Sequence, residues 1–150
     1  MSWQHGQWIY PDAEQVATLY LRAQLAALAP EPDYATGTAV AAAYPPARDA
    51  GRYVRFRRSG GTSRRPNDYP RLDVQVWHED YMGRMNLAQL ALSLIGAADG
   101  AVVSDASLPR STTLGEVSEF VGPGRFDDPE VPGRELILFT VEIPMRGAAV

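Results

Sequence analysis

The stretch Arg71-Leu-Asp-Val-Gln-Val-Trp-His78 decides how this chain is organised. Leu72, Val74 and Val76 alternate with Asp73, Gln75 and Trp77, a period of two that sets three aliphatic side chains on one face of a strand. At Glu79 the period changes. Met82, Met85, Ala88, Leu92 and Ile95 recur at helical spacing, and Leu87, Leu90, Ala91 and Leu94 widen the stripe. A helix is therefore expected over residues 79–97, opened by Glu79 or Asp80, because acidic residues are favoured in a first turn. A helix this apolar lies across a sheet or under a partner.

Working towards the N-terminus, residues 59–70 are rich in Gly, Ser, Arg, Asn and Pro and read as a long loop, longer than a tight hairpin needs. Before it, Val54 and Phe56 alternate with Tyr53, Arg55 and Arg57, a half-buried strand over 52–58. Residues 35–44 read as a short edge strand closed by Pro45 and Pro46. Asp12 is placed to cap a helix reaching Ala29, with Val16, Leu19, Tyr20, Ala23 and Ala27 as its stripe, and Pro30 and Pro32 end it. Residues 1–10 carry Trp3, Trp8, Ile9 and Tyr10 in no regular pattern and read as an aromatic arm.

Towards the C-terminus, residues 101–103 begin a strand and Pro109 breaks the chain. Strand character resumes over 113–121, and GPGRFDDPEVPG at 122–133 reads as turns. Over 135–143, Ile137, Phe139, Val141 and Ile143 alternate with Leu136, Leu138, Thr140 and Glu142. The first half of that strand is apolar on both faces, which predicts an interior position in the sheet. The order helix, strands, helix, strands implies one α+β domain: a largely antiparallel sheet of four to five strands with two helices packed on one face.

Composition narrows the function. The 150 residues, 45% hydrophobic and 21% charged, suit one globular core. There is no cysteine, which removes disulfides, thiol nucleophiles and thiolate metal sites and fits assembly in a reducing cytoplasm. Every basic residue is arginine. The net charge of −4 and pI near 5.1 argue against a surface that neutralises many phosphates. The N-terminus lacks the basic start and apolar run of a signal peptide, and no stretch approaches the roughly 18 apolar residues of a membrane span, so no membrane partner is expected.

Groups suited to chemistry are sparse. His78, Glu79 and Asp80 are neighbours on an extended segment, where adjacent side chains point to opposite faces, so at most two converge on a metal. Serines 104, 107, 111 and 118 lie in no G-x-S-x-G elbow. Gly60-Gly61 and Gly122-Pro123-Gly124 lack the spacing and the lysine of a phosphate-binding loop. Asp127-Asp128-Pro129 is turn chemistry before it is a cation site. No catalytic, metal or cofactor residue is assigned. The marked concentration of charge is Arg52, Arg55, Arg57, Arg58, Arg64, Arg65 and Arg71, open to three uses: DNA phosphates, carboxylates of a neighbouring subunit, or solvent.

From Arg52 to Ile95 the chain resembles a known family. RYVRFRR, an Arg/Gly/Ser segment, then the P-R-L-x-V-x-V-W pattern at Pro70 to Trp77 leading at once into an Ala/Leu-rich helix, is similar to the tail terminator proteins of long-tailed bacteriophages and to related tail-completion and neck proteins. The resemblance implies a virion protein assembled in the host cytoplasm, forming a six-fold ring. That ring caps the tail tube, contacts the major tail tube protein, and later meets the head–tail connector or stopper. DNA would meet it only by passing through the lumen. The family brings no catalytic residues and no cofactor.

A ring of identical subunits uses two different patches on each copy. Arg57, Arg58, Arg64 and Arg65 are candidates for one, and Glu116, Glu119, Asp127, Asp128 and Glu130 for the other. Trp3, Trp8 and Trp77 are candidate anchors or core residues. Two alternatives stay open: a head-completion or connector protein with the same ring logic, and a small α+β ligand-binding or enzyme domain with a pocket between helix and sheet.

Overall fold

A computed structural model describes residues 8–149. Its elements are β1 (Trp8–Ile9), α1 (Ala13–Leu28), a single 3-10 turn (Asp33–Ala35), β2 (Ala39–Ala41), β3 (Tyr53–Arg64), β4 (Asn67–Trp77) and α2 (Tyr81–Gly96). After these come β5 (Val102–Val103), β6 (Thr112–Thr113), β7 (Ser118–Asp127), β8 (Glu135–Glu142), β9 (Met145–Arg146) and β10 (Ala148–Ala149). The main sheet runs β2-β3-β4-β8-β7, with β9 also pairing β4. Only β2 runs parallel to its neighbour. This is the expected α+β domain. β8 lies between β4 and β7, as its two-sided apolarity predicts.

Cross-strand partners share a face, so the register assigns the side chains. Val54–Val76–Ile137, Phe56–Val74–Phe139 and Leu72–Val141 form rows on the helical face. There they join Val16, Leu21, Leu87 and Ile95 in one core. Asp12 caps α1 by accepting from the backbone N–H groups of Glu14 and Gln15, and Asp80 caps α2 by accepting from Gly83. Tyr20 ties the helices together, its hydroxyl donating to the Leu94 carbonyl at 2.6 Å. The stripes are shorter than the sequence suggests: Ala23 and Ala27 on α1 and Met82 on α2 are exposed, because these ends run past the sheet.

Residues 59–70 are not a loop. Register from Arg58↔Leu72 to Arg64↔Asn67 continues the β3–β4 ladder through a bulge at Ser59, and Arg65-Pro66 alone makes the turn. Most of the β3 half of this hairpin end faces water on both sides, so no apolar alternation marks it as strand. Gly61 (φ +97°) is required here, since a Cβ would collide with the Tyr69 carbonyl. β9 resumes the line of β8 after Pro144 and pairs with Asn67 and Asp68, bracing the hairpin to its end.

The turn-rich reading of 122–133 holds for 128–133 and is corrected for 122–127. β7 runs through Gly122-Pro123-Gly124 to Asp127, bulged between Glu119 and Gly124. An edge strand tolerates proline, because its outward amide has no ladder partner to lose. The strand expected over 113–121 is two pieces, β6 and the start of β7. At the end of the arm Trp8 and Ile9 form a strand, pairing with Ala149 and Ala148. Trp3 lies outside the described residues.

Candidate functional site

Among the described residues, the sheet face opposite the helices is most fully covered at one end. There Trp77 and Leu136 are buried outside the main core. Tyr44, on the segment after β2, meets the Trp77 ring edge-on at 5.5 Å, and Tyr53 does so at 5.9 Å. Asp128 binds this lid together. It is 5% exposed and accepts from Tyr44 Oη (2.5 Å), Trp77 Nε1 (3.0 Å), Arg134 Nε (2.6 Å) and the backbone amide of Glu130 (2.9 Å). Burial pushes its carboxyl pKa up, but the donors from Tyr44, Glu130, Arg134 and Trp77 outweigh burial and hold it well below the usual carboxylate range. The Tyr44 phenol is pushed up to about 12, by burial first and then by the Asp128 carboxylate. Asp128 is therefore an internal structural acid, not part of an exposed acidic patch. Trp77 is core, not a surface anchor.

Along the rest of this face Arg57 is exposed, Asp73 is half-buried and Thr140 is buried. Arg57, Asp73 and Thr140 stand in one row, with Thr140 Oγ1 donating to Asp73 Oδ1 at 2.9 Å. Next to them β7 exposes Phe120 (47%), Val121 (53%) and Phe126 (47%). The Arg71 guanidinium lies 4.2 Å from the Phe120 ring centroid. These aromatics were missed from sequence because Phe120 and Phe126 flank the Gly-Pro-Gly that reads as turn.

The arginines divide into two kinds. Arg58 is internal: Nη1 and Nη2 grip Asp68, 1% exposed, at 2.6 and 2.9 Å, and Nε donates to the Gly60 carbonyl at 3.1 Å. Ser63 Oγ adds a bond to Asp68, and Glu14 accepts the Arg58 backbone N–H. The hydrogen bond to Asp68 raises the Arg58 pKa further. This pair, buried on the Asp68 side and a third exposed on the Arg58 side, closes the hairpin bulge. Arg57 is exposed on the face opposite the helices, and Arg64 and Arg65 are exposed at the hairpin tip.

The acidic set is divided as well. Glu116 and Glu119 are exposed near the start of β7, level with the hairpin end, since Ser118 and Glu119 pair with Glu142 and Val141. Asp127 pairs with Glu135 at the other end of the sheet, with Glu130 just beyond it, and both are exposed. Trp8 is half-buried in the β1–β10 ribbon.

His78 is a structural residue. Its Nδ1 accepts from the Asp80 amide at 3.0 Å and its Nε2 faces the Tyr34 carbonyl at 2.9 Å, which assigns the proton to Nε2. A cavity of about 400 Å³ lies between the start of α1 and residues 108–113 and 146–148; Tyr10, Asp12, Arg110 and Arg146 are its titratable lining. Asp12 is committed there to capping α1. No family model matches the chain, and no curated protein matches it either.

Proposed function

We propose that the protein is a structural subunit of a tailed-phage tail or neck, a ring-forming tail terminator that caps the tube and joins it to the head connector. The observation that carries this reading is the edge strand β7, on which Phe120, Val121 and Phe126 stand exposed, with the Arg71 guanidinium against the Phe120 ring. Exposed apolar side chains grouped in this way and rimmed by charge mark a surface that meets another protein. The bulges and Pro123 keep the β7 edge from pairing indiscriminately with other strands, so the contact is made through side chains. The sequence resemblance over Arg52 to Ile95 supplies the kind of partner: copies of itself, the tail tube and the connector or stopper.

The test is complementation in vitro. Tails from a phage lacking this gene are expected to become competent for head joining when the purified protein is added. The variant carrying Phe120→Ser and Phe126→Ser, folded by circular dichroism, is expected to fail. Full restoration by that variant would remove the role given to this strand.

A further inference from the structure

Two rigid ends of the sheet carry unlike charges that the chain cannot use on itself. At the hairpin end, Arg64 and Arg65 make no ion pair among the described residues. The one acid within residues 59–70, Asp68, is buried and held by Arg58. The tip is fixed by that pair, by β9 along Asn67 and Asp68, and by the Gly147 amide donating to the Pro66 carbonyl at 2.8 Å. A knob already held in shape loses little entropy on docking.

At the opposite end four arginines are occupied, while Arg48 is exposed with no ion pair among the described residues. Arg52 pairs with Glu79, Arg84 with Glu135 and Arg134 with Asp128, while Arg125 lies over the Tyr81 ring at 5.6 Å. Asp127 and Glu130 are left exposed without an ion pair among the described residues. β4 alone, Asn67 to Trp77, separates the two ends by about 33 Å at about 3.3 Å per residue. No side chain spans that distance within one molecule.

We infer that the Arg64–Arg65 tip of one copy docks on the Asp127–Glu130 end of the next, with the tip guanidiniums on those carboxylates. This rests on the ring reading and names its contact. Arginine suits the task, because its planar group pairs with carboxylates. The contact joins different patches, so it propagates head to tail and closes if the rotation between copies allows.

Because the chain has no cysteine, the contact is testable by placing two. The variant with Arg64→Cys and Asp127→Cys, concentrated and mildly oxidised, is expected to give a ladder of disulfide-linked oligomers. A control with Arg64→Cys and Ala26→Cys, the second on exposed α1, is expected to stay at least tenfold lower. A ladder no stronger than the control overturns the contact. Charge reversal adds a second arm: Arg64→Glu with Arg65→Glu, and Asp127→Arg with Glu130→Arg, are each expected to abolish assembly on tail tubes. Combining all four is expected to recover at least half of it. Retained assembly in either pair, no recovery in the combination, or loss of duplex-DNA retention in the Arg-to-Glu pair with background cross-linking would each overturn the proposal, the last in favour of a nucleic-acid partner. Tail capping by the wild-type protein is scored separately, so the contact fails without the terminator reading failing with it.

Discussion

The Trp77 indole donates to Asp128 Oδ2 at 3.0 Å, joining the last residue of β4 to the turn that follows β7 across the face without helices. One carboxylate thereby fastens two tyrosine-flanked segments over the sheet. Replacing Asp128 with Ala leaves the Trp77, Tyr44 and Arg134 donors facing a buried gap. The expected cost is about 3–5 kcal/mol, the range for breaking a buried charge pair, read as a lowered denaturant midpoint. Tyr44→Phe removes one bond to the charged group and is expected to cost about 1.5–3 kcal/mol.

Acid should act through the same carboxyl. Its pKa in the fold lies below the ordinary aspartate value of about 3.9, so its contribution is complete above that pH and is lost as pH falls below it. Denaturant midpoints from pH 5 down to pH 2 are expected to fall for the wild type and more shallowly for Asp128→Asn. At the alkaline end Tyr44 has the opposite sign. Its folded value of about 12 exceeds the ordinary value of about 10, so that stabilisation is present below about pH 10 and lost as pH rises through 12. Ultraviolet titration should show the Tyr44 phenol ionising late, alongside Tyr20, which burial also pushes up, and Tyr44→Phe should remove one of the late steps.

Gly83 sits in the first turn of α2 against the His78 imidazole, in the space a Cβ would occupy. Helix propensity alone predicts that Gly83→Ala stabilises by about 1 kcal/mol. The steric overlap reverses that sign, and a loss of about 1–3 kcal/mol is expected, the usual cost of overpacking. Thermal unfolding of Gly83→Ala, His78→Ala and the double variant measures it. The two changes should be strongly non-additive, since the second removes the ring that the first strikes.

The arginines of the hairpin should separate by measurement. Arg58→Ala strands the Asp68 carboxylate; a third of the Arg58 side chain stays in water, so the loss should fall near the lower end of about 3–5 kcal/mol. Lysine at position 58 should not restore it fully, because the grip is two-pronged. Arg64→Glu with Arg65→Glu should leave stability within about 0.5 kcal/mol. Chemical denaturation of the three variants distinguishes the hairpin's brace from its docking tip.

How legible the sequence was followed burial. Asp12 and Asp80 announced both helices, and the alternation of Val54 to Phe56, Leu72 to Val76 and Ile137 to Val141 gave the strands that face the core. Alternation fails where both faces meet water, which is why Gly60 to Arg64 read as loop and Gly122 to Phe126 as turn. Partners were beyond reach for the same chain-local reason. Nothing beside Arg58 marks it as the mate of Asp68, and nothing in Asp-Asp-Pro tells that Asp128 turns inward to Trp77 while Asp127 turns out.

As proposed, this protein meets copies of itself and a tube through the exposed β7 edge and its two charged ends. Negative-stain imaging of tails assembled with and without it tests that most directly. The account predicts tubes of one sharp length when the protein is present and a broad, overlong distribution when it is withheld. Indistinguishable length distributions would contradict it.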